Sequence, residues 1–161
     1  MIKALIPCLI FTVVNSVSAA DEANDEIRRG RYLSLIGGCN DCHTSGFAPS
    51  EGKVPESEWL KGDSVGWRGP WGTTYPINLR NLVASLSREQ WISLMRNSKA
   101  RPPMPAYVTR TMPEADLGAL YAFIKSLGSG GATVPAALPP GVEPVTPFIN
   151  FQVISKSELG K

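Results

Sequence analysis

The chain has 161 residues, of which 43% are hydrophobic, with 16 Lys and Arg against 14 Asp and Glu for a formal net charge of +2. That length and apolar content suit one globular domain. The near balance of charge, with no basic stripe and no block of like charge, argues against a nucleic-acid binder or a chain held on a membrane by charge, and it gives no strong steering cue for a partner.

Residues 1–20 read as a secretory signal: Lys3, an apolar run from Ala4 to Val14, then Ser18, Ala19 and Ala20 ahead of Asp21. The run is far shorter than the roughly 20 residues that span a bilayer, so cleavage near Ala19 or Ala20 and a periplasmic location without a membrane anchor are expected. Cys8 leaves with this segment, and Lys3 is the one charge lost with it.

Asn24 is a candidate N-cap, followed by Asp25 and Glu26, with Arg28, Arg29 and Arg31 further on, which predicts a first helix from about Asp25 to Ile36 stopped by Gly37-Gly38. Gly30 inside it costs about 1 kcal/mol relative to alanine, so another backbone is expected to pass close by. From Thr44 to Asn81 the glycines and prolines predict a long ordered loop, held by Trp67, Trp71 and Tyr75. Ser87 with Gln90 is a capping-box pattern, predicting a second helix from Ser87 to Asn97 with Trp91, Leu94 and Met95 on one face. Thr111 with Glu114 repeats it ahead of an apolar stripe of Leu117, Leu120, Tyr121, Ile124 and Leu127 that ends at Gly128. The domain is therefore expected at 21–128, and residues 129–161 read as a Pro/Gly-rich extended tail.

Both cysteines of the expected mature chain and the only histidine fall within five positions, as Cys39-Asn40-Asp41-Cys42-His43. C-x-x-C-H is the pattern of c-type haem attachment. On a helix, positions i, i+3 and i+4 share a side, so two thioethers and one imidazole can address a single planar ligand. A thioredoxin-like disulfide needs a βαβ context that the helical pattern lacks, and structural zinc normally needs four ligands where three are present.

With no second histidine, the sixth iron ligand is a methionine or the position is open. Met95 falls on an apolar helix face and reads as core, and Met112 reads as packing beside Pro113. Met104, in RPPMPAY between Pro103 and Pro105, is presented by a stiff loop and is the candidate ligand. Methionine opposite histidine raises the haem potential and closes the iron to substrates, so electron transfer is expected rather than catalysis.

On these residues the chain resembles the class I c-type cytochromes, particularly the single-haem domains that serve bacterial periplasmic dehydrogenases. The resemblance covers roughly residues 25–128: a helix leading into CNDCH, a loop containing WRGPWGTTYPINL, a helix after Ser87, the Met104 loop and a closing helix. It implies an all-α fold with long irregular loops, first and last helices crossing near Gly30 and Tyr121, one covalent haem c, and His43 and Met104 as axial ligands. It also points to the middle loop for the propionates, with Arg68, Trp71, Tyr75 and Arg80 as candidate donors; the alternative for each is a solvent-facing arginine or a core aromatic. The tail and the length of the middle loop depart from a minimal member, so the partner surface does not carry over.

The function expected is that of a periplasmic electron carrier, or an electron-transfer subunit, exchanging electrons with a redox protein such as a dehydrogenase or oxidase. The tail suits a lasting contact with a subunit or a second copy, or else a cover for its own domain. A haem enzyme or gas sensor with an open sixth site is the competing class, and a chain using C-x-x-C as a structural disulfide is a third.

Overall fold

The computed structural model describes residues 18–153 and 155. Helix α1 (Ala19–Ile36) starts six residues before the expected Asp25: Ser18 caps it by accepting from the Ala20 N–H at 3.1 Å, and Asp21 and Glu22 fill its first turn. The intervening residues are good helix formers, so an earlier cap displaced Asn24 from that role. The expected cleavage point lies in this first turn, and residues 1–17 of the expected signal lie outside the described residues.

The helix ends as expected, with the Gly37 N–H on the Leu33 carbonyl at 2.9 Å and Gly38 left-handed at φ +66°. That left-handed residue turns the chain directly into the short helix α2 (Cys39–His43).

Gly30 is where α1 meets α6 (Glu114–Ser126), the helix it packs against most extensively. A Cβ on Gly30 would lie 1.9 Å from the Ala119 carbonyl oxygen and 2.6 Å from the Phe123 Cβ. The glycine's conformational cost is thus offset by backbone contact, as anticipated. On α6 residues Leu117 to Tyr121, Phe123 and Ile124 are all buried, so this helix is apolar on nearly every side and forms the centre of the core. Leu33, Phe47, Trp59, Leu60, Leu79, Val83 and Trp91 close around it.

Between α2 and α6 the chain is more regular than the loop expected from Thr44 to Asn81. A turn of 3-10 helix at Glu56–Glu58 precedes the strands β1 (Gly66–Gly69) and β2 (Gly72–Thr74). Helix α3 (Leu79–Ala84) follows, capped by Asn78 accepting from the Asn81 N–H. Helix α4 (Arg88–Arg96) carries the expected capping box, with Ser87 and Gln90 bonded reciprocally. Its Trp91 is buried and donates to the Leu117 carbonyl at 2.9 Å, whereas Leu94 is exposed.

Thr111 does not cap α6. It is the last residue of another short helix, α5 (Ala106–Thr111), and its hydroxyl donates back to the Tyr107 and Val108 carbonyls. Pro113 forces Met112 into extended backbone and itself occupies the N-cap position of α6.

Beside the helices of the expected all-α fold stands a small three-stranded sheet in the order β2-β1-β3, in which β3 (Phe148–Asn150) comes from the tail. β1 and β2 form an antiparallel hairpin, and β3 runs parallel to β1 with Trp67 opposite Ile149. On the far side, Thr73 and Leu138 exchange backbone hydrogen bonds at 3.0 and 2.8 Å. Gly72 permits this, since its Cβ would lie 2.1 Å from the Leu138 carbonyl. Phe151 packs on Trp67 and Trp71, with ring centroids 5.6 and 6.0 Å apart. The tail therefore straps the hairpin of its own domain.

Candidate functional site

Helix α2 is anchored through Asn40, between its cysteines, and Thr44, just beyond His43. Asn40, almost fully buried, donates to Ser34 Oγ on α1 at 3.4 Å and accepts from Thr44 Oγ1 at 2.7 Å; Thr44 in turn accepts from the Leu60 N–H at 2.8 Å. With Asn40 turned into the core, Cys39, Cys42 and His43 remain for the site.

His43 is buried and its Nδ1 lies 2.8 Å from the Ile77 carbonyl oxygen. A carbonyl only accepts, so Nδ1 carries the proton and donates it. Burial holds the pKa below the ordinary imidazole value, against the opposing pull of the Ile77 hydrogen bond. The ring is therefore neutral at neutral pH, with the Nε2 lone pair unprotonated, the form in which an imidazole ligates a metal.

Cys39 and Cys42 are free thiols. Burial pushes Cys39 up to about 11, and Cys42 is raised by burial and then by the Asp41 and Asp63 carboxylates. Both are protonated at neutral pH, unlike the lowered-pKa thiolates of dithiol redox motifs. Among the described residues no three His, Cys, Asp or Glu side chains converge as an ion-binding cluster.

Met104 is 37% exposed in its loop, where its N–H bonds to the Arg101 carbonyl at 3.3 Å and its carbonyl accepts from the Ala106 N–H at 2.9 Å. One segment ties this loop and His43 together. Thr74 Oγ1 donates to the Pro102 carbonyl at 2.7 Å, and three residues later Ile77 holds His43. Met95 and Met112 pack against the core, the latter with its methyl 3.7 Å from where a Gly37 Cβ would stand.

The four propionate candidates separate by what they already bond. Arg80 is buried and donates to three carbonyls, those of Trp59 at 2.7 Å, Glu56 at 2.9 Å and Leu127 at 3.1 Å. Arg68 pairs with Glu143 and covers the Phe148 ring, and the Tyr75 hydroxyl lies 2.9 Å from Thr146 Oγ1. Trp71 differs, because its indole N–H is buried without a partner. Thr73 Oγ1, on the same hairpin, is the second buried polar atom left unpaired among the described residues. An orphaned buried donor costs about 1–3 kcal/mol, so two on one hairpin suit an acceptor that the polypeptide does not supply, as a carboxylate of a bound group would. Sequence reasoning missed Thr73, which lies in a Gly-Thr-Thr run with nothing to distinguish the two threonines.

No helix among the described residues is long and apolar enough to cross a membrane. A scan against protein-family models and searches of curated proteins and of solved structures find no match to this chain.

Proposed function

We propose that this chain binds one haem c covalently and serves as a periplasmic electron carrier or electron-transfer subunit. The observation that carries the reading is His43: neutral, oriented by the Ile77 carbonyl with Nε2 free, and directly following two protonated thiols on one short helix. Cys39 and Cys42 would hold the group through thioethers, and His43 Nε2 and Met104 Sδ would ligate its iron. When bound, the haem supplies a one-electron Fe(II)/Fe(III) couple.

The chain's own residues fix the surroundings of that couple. Ile77 sets the orientation and basicity of His43 through its carbonyl. Thr74 restrains the Met104 loop, so the thioether is presented by backbone that is already held. Trp71 Nε1 and Thr73 Oγ1, both buried without a partner, would donate to the propionates, while Arg80 keeps the Trp59, Glu56 and Leu127 carbonyls in place. Rigid ligand positions keep the geometric cost of a change in iron charge small.

The test is the chain produced with working haem-attachment machinery. The reading expects a visible haem spectrum and a methionine-to-iron charge-transfer band in the oxidised protein. That band should vanish in Met104→Ala, which still holds haem, whereas His43→Ala should accumulate little holoprotein. A second reading, an open sixth site, draws support from the 37% exposure of Met104. It expects prompt, stoichiometric carbon monoxide binding by the reduced protein at neutral pH, and the electron-carrier reading expects none.

A further inference from the structure

The charges of the described residues are unevenly paired. Arg28, Arg29, Arg31, Lys53, Lys61, Arg68 and Arg88 each meet a carboxylate. Arg80 is buried on carbonyls, and Lys125 is bonded to the Tyr121 hydroxyl. Arg96, Lys99, Arg101 and Arg110 are left, all exposed and none within ion-pair distance of a carboxylate among the described residues. From Gln90 to Pro113 the sequence contains no Asp or Glu at all.

These four cations lie on one stretch of chain, from Arg96 to Arg110. Arg96 Nη1 donates to the Arg110 carbonyl at 3.0 Å, and Arg110 Nη1 donates to the Ser98 carbonyl at 2.7 Å, so the end of α4 and the end of α5 are laced together. Lys99 follows Ser98, and Arg101 is tied by its carbonyl to the Met104 N–H. The carbonyls orient the two guanidiniums without neutralising them. In the same segment Tyr107 is 65% exposed. An exposed aromatic side chain framed by arginine and lysine is what a specific protein contact uses, the ring for packing and the charged rim for orientation and association rate.

We propose that the surface formed by Arg96, Lys99, Arg101 and Arg110 around Tyr107 docks a redox protein that presents a carboxylate-rich face. The proposal rests on the electron-transfer reading for the word redox, while the acidic character of the partner follows from the charge accounting alone. Uncompensated cations concentrated in one segment of a nearly neutral chain orient it during approach, by an attraction that salt screens.

The experiment uses poly-L-glutamate as the acidic probe and compares the holoprotein with two variants of equal net charge. Lys99→Glu/Arg101→Glu alters the unpaired surface without removing a side-chain contact, and Arg28→Glu/Lys53→Glu alters exposed cations elsewhere. The first should bind poly-L-glutamate about tenfold more weakly at about 20 mM salt, the second within about twofold of the parent, with the differences gone near 0.5 M. Equal weakening in both variants, or none in the first, overturns the proposal. Tighter binding of the parent to phosphatidylglycerol vesicles than to poly-L-glutamate overturns it in favour of a membrane surface. Visible absorption of the same samples separates the two readings. Colourless protein refutes the haem assignment while the charge comparison still decides the acidic surface, and coloured protein with indifferent variants does the reverse.

Discussion

Replacing Gly30 by alanine tests the crossing of α1 and α6 on which the fold is built. The new methyl carbon would stand 1.9 Å from the Ala119 carbonyl oxygen and 2.6 Å from that carbonyl's carbon. Both are backbone atoms of a buried helix and have no rotamer with which to yield. Reaching an ordinary contact distance requires the helices to part by more than about 1 Å, which loosens Leu33, Phe123 and their neighbours over the most extensive helix contact of the molecule. Alanine gains about 1 kcal/mol in helix propensity, and overpacking of a closely fitted core costs about 1–3 kcal/mol or more when backbone must move. A net loss of about 2 kcal/mol is expected, which lowers Tm by roughly 4–8 °C in a domain of this size. Thermal unfolding followed by far-UV circular dichroism reads it directly. An unchanged or raised Tm would refute the argument, because the propensity gain would then have acted without any opposing clash.

Arg88 occupies the space a side chain at Gly118 would fill and pairs with Glu26 on α1, so Gly118→Ala and Glu26→Gln should be non-additive, the double variant costing less than the two singles together; urea titrations of the four proteins measure the coupling. The Arg88 hydrogen bond also holds the Glu26 carboxyl below its ordinary value, so its contribution to stability is complete above the usual carboxylate range and is lost as pH falls through the lowered value. Glu26→Gln should flatten that acid limb in stability measured against pH. Asn40→Ala removes the acceptor of the buried Thr44 hydroxyl and the bond to Ser34, and a loss of about 2 kcal/mol is expected in denaturant unfolding. Arg80→Lys replaces a planar fork that reaches three carbonyls by a single ammonium, and about 2 kcal/mol or more should be lost in the same assay.

The parts of the molecule that were legible in advance are those whose cause is local. Ser87 and Gln90 form their box because both partners lie within one turn, and Leu117, Leu120, Tyr121 and Ile124 of the α6 stripe are buried because their period matches a helix. Gly30 was readable as a close approach because its cost was unexplained within its own helix. The sheet was not readable, since β1 acquires its second neighbour from residues about eighty positions later. Thr111 misled because its hydroxyl has two helical carbonyls within reach and Pro113 ends the turn before a box can form.

At the site, the C-x-x-C-H spacing announced itself, but the role of each supporting residue did not. Arg68, Tyr75 and Arg80 are chemically suited to a carboxylate and are occupied by other partners. Only an accounting of hydrogen bonds in three dimensions singles out Trp71 and Thr73. The charge of the α4–α5 face was hidden for a related reason. A chain total of +2 averages paired and unpaired cations, and pairing is a property of the fold.

The central claim, a haem joined covalently through Cys39 and Cys42, is tested most directly by the mass of the acid-extracted, denatured chain made where haem attachment operates. The account predicts that one haem stays with the polypeptide and is released when both cysteines are replaced by serine. A mass equal to the polypeptide alone, or to the polypeptide less the two hydrogens of a Cys39–Cys42 disulfide, would contradict it.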